Sequence, residues 1–142
     1  MEFFATTRVA ANANQLQEQL TVERLPHWCA SIDTVLEHAG DQGRVYCVWG
    51  EFAVQREVIR GGVRFTLPGC PNALAWTVTT GLPPDPGAVV IHCTINRPDH
   101  DPDFIETIEV FVDDWREGIE NALSVSVSAE QVDPVRGSTD SP

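Results

Sequence analysis

DPDFIETIEVFVDDWREGIENALS, residues 101–124, is patterned as one long amphipathic helix. Phe104, Ile108, Phe111, Val112, Trp115, Ile119 and Leu123 recur at three- and four-residue steps, while Glu109, Asp113, Arg116, Glu117 and Glu120 take the other face. A period near 3.6 gathers the first set into one apolar stripe that has to be buried. Asp101 is an N-cap candidate, since its carboxylate can accept from the orphan amides of the first turn. Pro102 suits the first helical position, and Asp103 and Glu106 complement the positive end of the helix dipole. The spacing predicts a helix of roughly six turns. Gly118 sits inside it at a cost of roughly 1 kcal/mol relative to alanine. It makes room for a ligand, allows close approach of a strand, or is tolerated drift.

Upstream of this helix the hydrophobic period falls to two, the signature of strands. Residues 2–9 alternate, with Phe3, Ala5, Thr7 and Val9 on one face. Asn12 or Asn14 can cap a short helix carrying Leu16 and Leu20, and Thr21 can cap a second turn, VERLPHW, kept short by Pro26. Alternation resumes at 32–37, 44–49, 51–59, 63–67, 73–79 and 88–95. Between these runs lie HAGDQG as a turn, Gly50 as a bend or bulge, and Gly61-Gly62 as a hairpin signal. PGCPN closes one strand, and GLPPDPG is a connection too poor in donors for the middle of a sheet. The expected class is α+β: a curved antiparallel sheet of about seven strands, two short helices after the first strand, and a long C-terminal helix packed against the sheet. One domain is expected over 1–126, with a polar, disordered tail over 127–142, where large apolar side chains are too few to offset the entropy of ordering.

Composition narrows the function classes. A chain of 142 residues with four Trp and six Phe can build one sizeable core. The formal net charge is −12, and all nine cations are arginine. Such a surface opposes nucleic acid and anionic lipid. The missing lysine reads as genome composition or salt adaptation. No apolar run approaches the roughly 20 residues that span a bilayer, and the first residues lack a signal-peptide pattern, so no membrane insertion and a cytoplasmic location are expected. Cys29, Cys47, Cys70 and Cys93 are spaced by 18, 23 and 23 residues, without a CxxC pair. They read as free buried thiols, and neither a metal site nor a cofactor is expected. The sequence leaves a homodimer open.

The order strand, two short helices, six strands, long helix, taken with QEQLTVERLPHW at 17–28, resembles the START/SRPBCC superfamily, also called Bet v 1-like or helix-grip. Leu20, Thr21, Leu25 and Trp28 carry the early part of the likeness, and Trp115 stands where members have a Trp near the middle of the closing helix. The resemblance spans residues 2–124. It implies a sheet wrapped around the long helix, enclosing a cavity for a small apolar or amphipathic, lipid-like ligand. It implies no single reaction, because the same fold serves carriers, cyclases, co-chaperones and dioxygenase subunits. The iron-dependent branch is excluded, since the chain has neither its His/Asp set nor its Cys/His-rich cluster domain.

Candidate ligand-binding residues are identified by their facing. Trp49, Phe65, Trp76, Phe111 and Trp115 fall at core-facing positions, where they line a cavity or simply fill the core. Arg56 shares parity with Phe52, Val54 and Val58. It faces a ligand anion, pairs with an internal acid, or is turned to solvent by a bulge at Gly50. His38 shares parity with Ile32 and Leu36 near a cavity mouth, whereas His92 falls on the outer face. No nucleophile elbow, phosphate loop or zinc-protease motif is present. The leading expectation is a non-enzymatic binding or carrier domain for a small apolar ligand. The alternatives are a cyclase, dehydratase or hydrolase using Arg56 and His38, or a protein-interaction module without a functional cavity.

Overall fold

The computed structural model describes residues 1–136 apart from Leu82, Pro84 and Asp85, with side chains through Leu123. Strand β1 (Glu2–Thr6) leads into helix α1 (Ala13–Gln19), a 3-10 turn at Val22–Arg24 and the single helical turn α2 (Leu25–Trp28). Then come β2 (Ile32–Ala39), β3 (Gln42–Cys47), β4 (Gly50–Ile59), β5 (Gly62–Thr66), β6 (Ala75–Thr80) and β7 (Val89–Thr94), and α3 (Pro102–Arg136) closes the chain. Of the segment 127–142 expected to form a disordered tail, residues 127–136 continue the backbone of α3, with side chains outside the described set, and 137–142 lie outside the described residues. No helix among the described residues is long and apolar enough to cross a membrane.

All seven strands join one curved antiparallel sheet in the order β1-β7-β6-β5-β4-β3-β2. The α+β class with the long C-terminal helix is therefore as expected. Alternation is cleanest in β7, where Val89, Ile91 and Cys93 are buried and Val90, His92 and Thr94 are not. Period-two geometry puts the first three on the face that meets α3. From α3, Ile108, Phe111, Val112, Trp115, Ile119 and Leu123 complete the same core. Asp101 caps α3 as its position predicts, accepting from the Asp103 amide at 2.7 Å. At α1, Asn12 and Gln15 form a reciprocal capping box, each side chain accepting from the other's backbone amide.

Four local readings change. First, β1 ends at Thr6 rather than running to residue 9. Second, Val48 and Trp49 form a tight turn instead of ending a strand, and Gly50 makes no bulge, because the β3–β4 register runs unbroken from Gln42↔Gln55 to Cys47↔Gly50. The register shifts lie in β2, between Ile32 and Thr34 and between Val35 and Glu37. Each shift reverses the facing of the residues beyond it, which leaves Leu36 50% exposed. Third, Pro26 sits in the first turn of α2, where its missing donor is harmless, rather than ending a longer helix. Fourth, Thr21 occupies a cap position without capping; its hydroxyl makes no cap hydrogen bond and is buried without a partner among the described residues.

Gly118 is explained by helix–helix approach. A Cβ at this position would run into the carbonyl oxygen of Trp28, where α2 ends against α3. The obstacle is backbone, so it cannot rotate away. Gly118→Ala should therefore destabilise the protein by about 1–3 kcal/mol in urea melts, despite alanine's better helix propensity. A gain in stability would mean that the two helices stand apart.

Candidate functional site

The concave side of the sheet and the buried stripe of α3 meet in a cluster of aromatic rings. Phe65 and Trp76 are cross-strand partners on β5 and β6, with ring centroids 5.3 Å apart. From α3, Phe111 meets the Trp76 ring edge-on at 4.9 Å, and Trp115 packs at 5.9 Å from Phe65 and 6.2 Å from Trp76. Trp49 joins from the β3–β4 turn, 5.1 Å from Phe111 and 6.1 Å from Phe104. Its indole N–H donates to Thr107 Oγ1 at 2.8 Å, which pins that turn to α3. Phe65 and Trp115 are 0% exposed, Phe111 1% and Trp76 2%, so the cluster is closed as it stands.

The four indoles divide evenly. Trp49 has its partner on Thr107, and Trp28 donates to the Gln19 carbonyl at 3.1 Å. Trp76 Nε1 and Trp115 Nε1 are fully buried and have no hydrogen-bond partner among the described residues. An unmet buried donor forfeits its hydration without return, at a cost of about 1–3 kcal/mol each. Both lie in the one cluster.

Five of the seven residues singled out from sequence are thus brought together: Trp49, Phe65, Trp76, Phe111 and Trp115. Arg56 is placed elsewhere. It is buried on β4, but its guanidinium is committed: Nε donates to Leu20 O at 2.6 Å, an Nη2 proton goes to Gln17 O, and Nη1 pairs with Asp41 Oδ1 at 2.9 Å. It closes the C-terminal end of α1, where unpaired carbonyls and the negative end of the helix dipole favour a cation. His38 is half-exposed at the end of β2, with Nε2 3.9 Å from Glu23, beside a shallow recess of about 370 Å³. Neither residue is among the aromatic cluster's ring contacts.

Sequence reasoning missed a larger, open groove of about 950 Å³ between α1, α2 and α3. Gln19, Glu23, His27, Trp28, Asn121 and Leu123 are among its walls. The one sequence signal for it was Gly118, which also lines it.

Burial holds the thiols near the core toward their protonated form. Burial pushes Cys29 well above the usual thiol range and Cys93 up to about 12, and it raises Cys47 as well. A thiol that stays protonated when folded but ionises when unfolded stabilises the fold fully below the ordinary value of 9.0 and loses that contribution as pH climbs toward about 12. Melting temperature should therefore fall above about pH 9, and Cys93→Ala should make that fall shallower. An unchanged alkaline slope in the variant would contradict the assignment. Among the described residues, no group of three or more His, Cys, Asp or Glu side chains is placed to hold a metal.

Two solved structures share this architecture. An uncharacterised protein from Bacillus thuringiensis aligns with a TM-score of 0.61 at 13% identity, over 86% of this chain and 98% of that one. The protein XoxI from Bacillus cereus aligns with a TM-score of 0.63 at 13% identity, over 88% of this chain and 97% of that one. At that identity the likeness is one of fold. No protein-family model and no curated protein matches the chain.

Proposed function

We propose that this chain is a non-enzymatic binding or carrier domain of the helix-grip type, taking a small apolar or amphipathic ligand between the sheet and α3. The observation that carries the reading is the gathering of Trp49, Phe65, Trp76 and Phe111 with Trp115, from three strand or turn segments and one helix, at the place where such a ligand would lie. Aromatic walls supply a large apolar contact area at low conformational cost, which suits recognition of a flat or ring-bearing guest. The cationic and imidazole candidates do not favour an enzyme, since the Arg56 guanidinium is engaged by α1 and Asp41, and the His38 imidazole stands half-exposed beside Glu23. Four unpaired cysteines support a reducing, cytoplasmic setting.

A second reading is favoured by the closure of the cluster: an interaction module whose interior is simply core. Thermal melts with 2-naphthol separate the two. A ligand that binds only the folded state raises stability as RT ln(1 + [L]/Kd), about 2.7 kcal/mol at a hundredfold excess over Kd. The carrier reading expects a saturable rise in melting temperature that Trp115→Phe reduces. A flat response up to the solubility limit of 2-naphthol would favour the interaction module.

A further inference from the structure

The unmet indole donors say something about the chemistry of the guest. Trp76 and Trp115 are in ring contact at 6.2 Å, each is at most 2% exposed, and each N–H is without a partner among the described residues. Buried donors are nearly always satisfied in native proteins, and each exception calls for a cause. The same protein satisfies its other two indoles, on Gln19 O and Thr107 Oγ1, so among its indoles the deficit is confined to this cluster; the other unmet buried polar atoms among the described residues are Thr21 Oγ1 and Asn72 Oδ1. Phenylalanine would supply a smaller aromatic ring without a donor. The aromatic neighbours of these two rings, Phe65 and Phe111, have no acceptor to offer.

We propose that the interior ligand is a neutral, mostly apolar molecule bearing a carbonyl-type oxygen, and that the indole N–H groups of Trp76 and Trp115 are its polar anchor. The inference rests on the binding reading above and adds the ligand's polar group. A carbonyl oxygen has two lone pairs and so can serve either donor or both. The guest is neutral because Arg56, the buried cation among the described residues, spends its Nε and both terminal nitrogens on Leu20, Gln17 and Asp41, and a carboxylate without a counter-charge is costly inside a core. The closed cluster is then the ligand-free form. A guest separates the rings and regains, as hydrogen bonds to its oxygen, what the closed form leaves unmet, which makes the pocket one that its ligand opens.

Acetophenone and ethylbenzene test this, since they are close in shape and differ at the carbonyl. Both are titrated into the ¹⁵N-labelled 142-residue chain while the four indole N–H resonances are followed, with Trp28 and Trp49 as internal controls. Acetophenone should bind roughly tenfold tighter, as expected for one or two buried hydrogen bonds. It should move the Trp76 and Trp115 indole protons downfield and leave the other two in place. Trp76→Phe and Trp115→Phe, which keep a ring and remove the donor, should each lower the ratio of acetophenone to ethylbenzene affinity measured within the variant, and the double variant should bring it to about one. If either variant fails to fold, the affinity ratio and the indole shifts of the wild type still decide. Equal affinities without downfield shifts would overturn the acceptor claim and leave interior binding standing. Binding of neither compound would overturn interior binding and this inference with it. Indole protons already downfield in the ligand-free protein, with cross-relaxation to a long-lived water, would assign the acceptor to resident solvent and overturn the inference as well.

Discussion

Replacing Trp115 by alanine is expected to lower stability by about 3–5 kcal/mol. The side chain is fully buried on the sheet-facing stripe of α3, packed against both Phe65 and Trp76. Truncation removes the transfer energy of a large ring and leaves a void that neighbours held by the sheet register and the α3 backbone fill only in part. Removing its indole N–H, which has no partner among the described residues, relieves an unmet desolvation cost of about 1–3 kcal/mol and holds the net loss toward the lower end of the expected range. Urea melts read the change directly. A loss under about 1 kcal/mol would mean that the interior collapses freely around the gap, and the packing described between α3 and the sheet would be wrong.

Arg56→Met should cost about 2–5 kcal/mol without any ligand present, which is the second large effect. The substitution keeps most of the apolar stem but strands the Leu20 and Gln17 carbonyls that the guanidinium serves. The ion pair with Asp41 contributes less, because the Asp41 side chain is 57% exposed and solvent screens it. Asp41→Asn should accordingly shift stability by less than about 1 kcal/mol. The contrast between the two variants is the diagnostic. Equal losses would place the stabilisation in the salt bridge, and a neutral Arg56→Met would leave the guanidinium free for a ligand.

The long helix was the most legible element, since its cap, its dipole-matched acids and its apolar stripe lie within one continuous segment. Strand number was legible for a related reason, since each strand declares itself by local alternation, whereas the pairing of β1 with β7 that sets the strand order has no short turn to announce it. What the sequence hid is non-local. Arg56 finds its partners on α1 and on the β2–β3 turn, and nothing near residue 56 announces them. Two register shifts in β2 each reverse parity, so they cancel by His38, which shares the face of Ile32 as its spacing predicts, whereas Leu36 between them is turned outward. Trp49 reads as the end of a strand by β-propensity, yet it occupies a turn because Thr107 and Phe111 on α3 hold its ring. The aromatic cluster lay between these extremes. Facing located its members, while the closure of the rings and the two unmet donors needed three-dimensional packing to appear.

Isotope-filtered NOE spectroscopy on ¹³C,¹⁵N-labelled protein with unlabelled 2-naphthol tests the location of the site most directly. Cross-peaks from the probe to the ring protons of Phe65, Trp76, Phe111 and Trp115 are expected, and to those of Trp49 at the edge of the cluster. Cross-peaks confined to His27, Trp28 and Leu123, in the open groove between α1, α2 and α3, would place binding outside the sheet–helix interior and contradict the account.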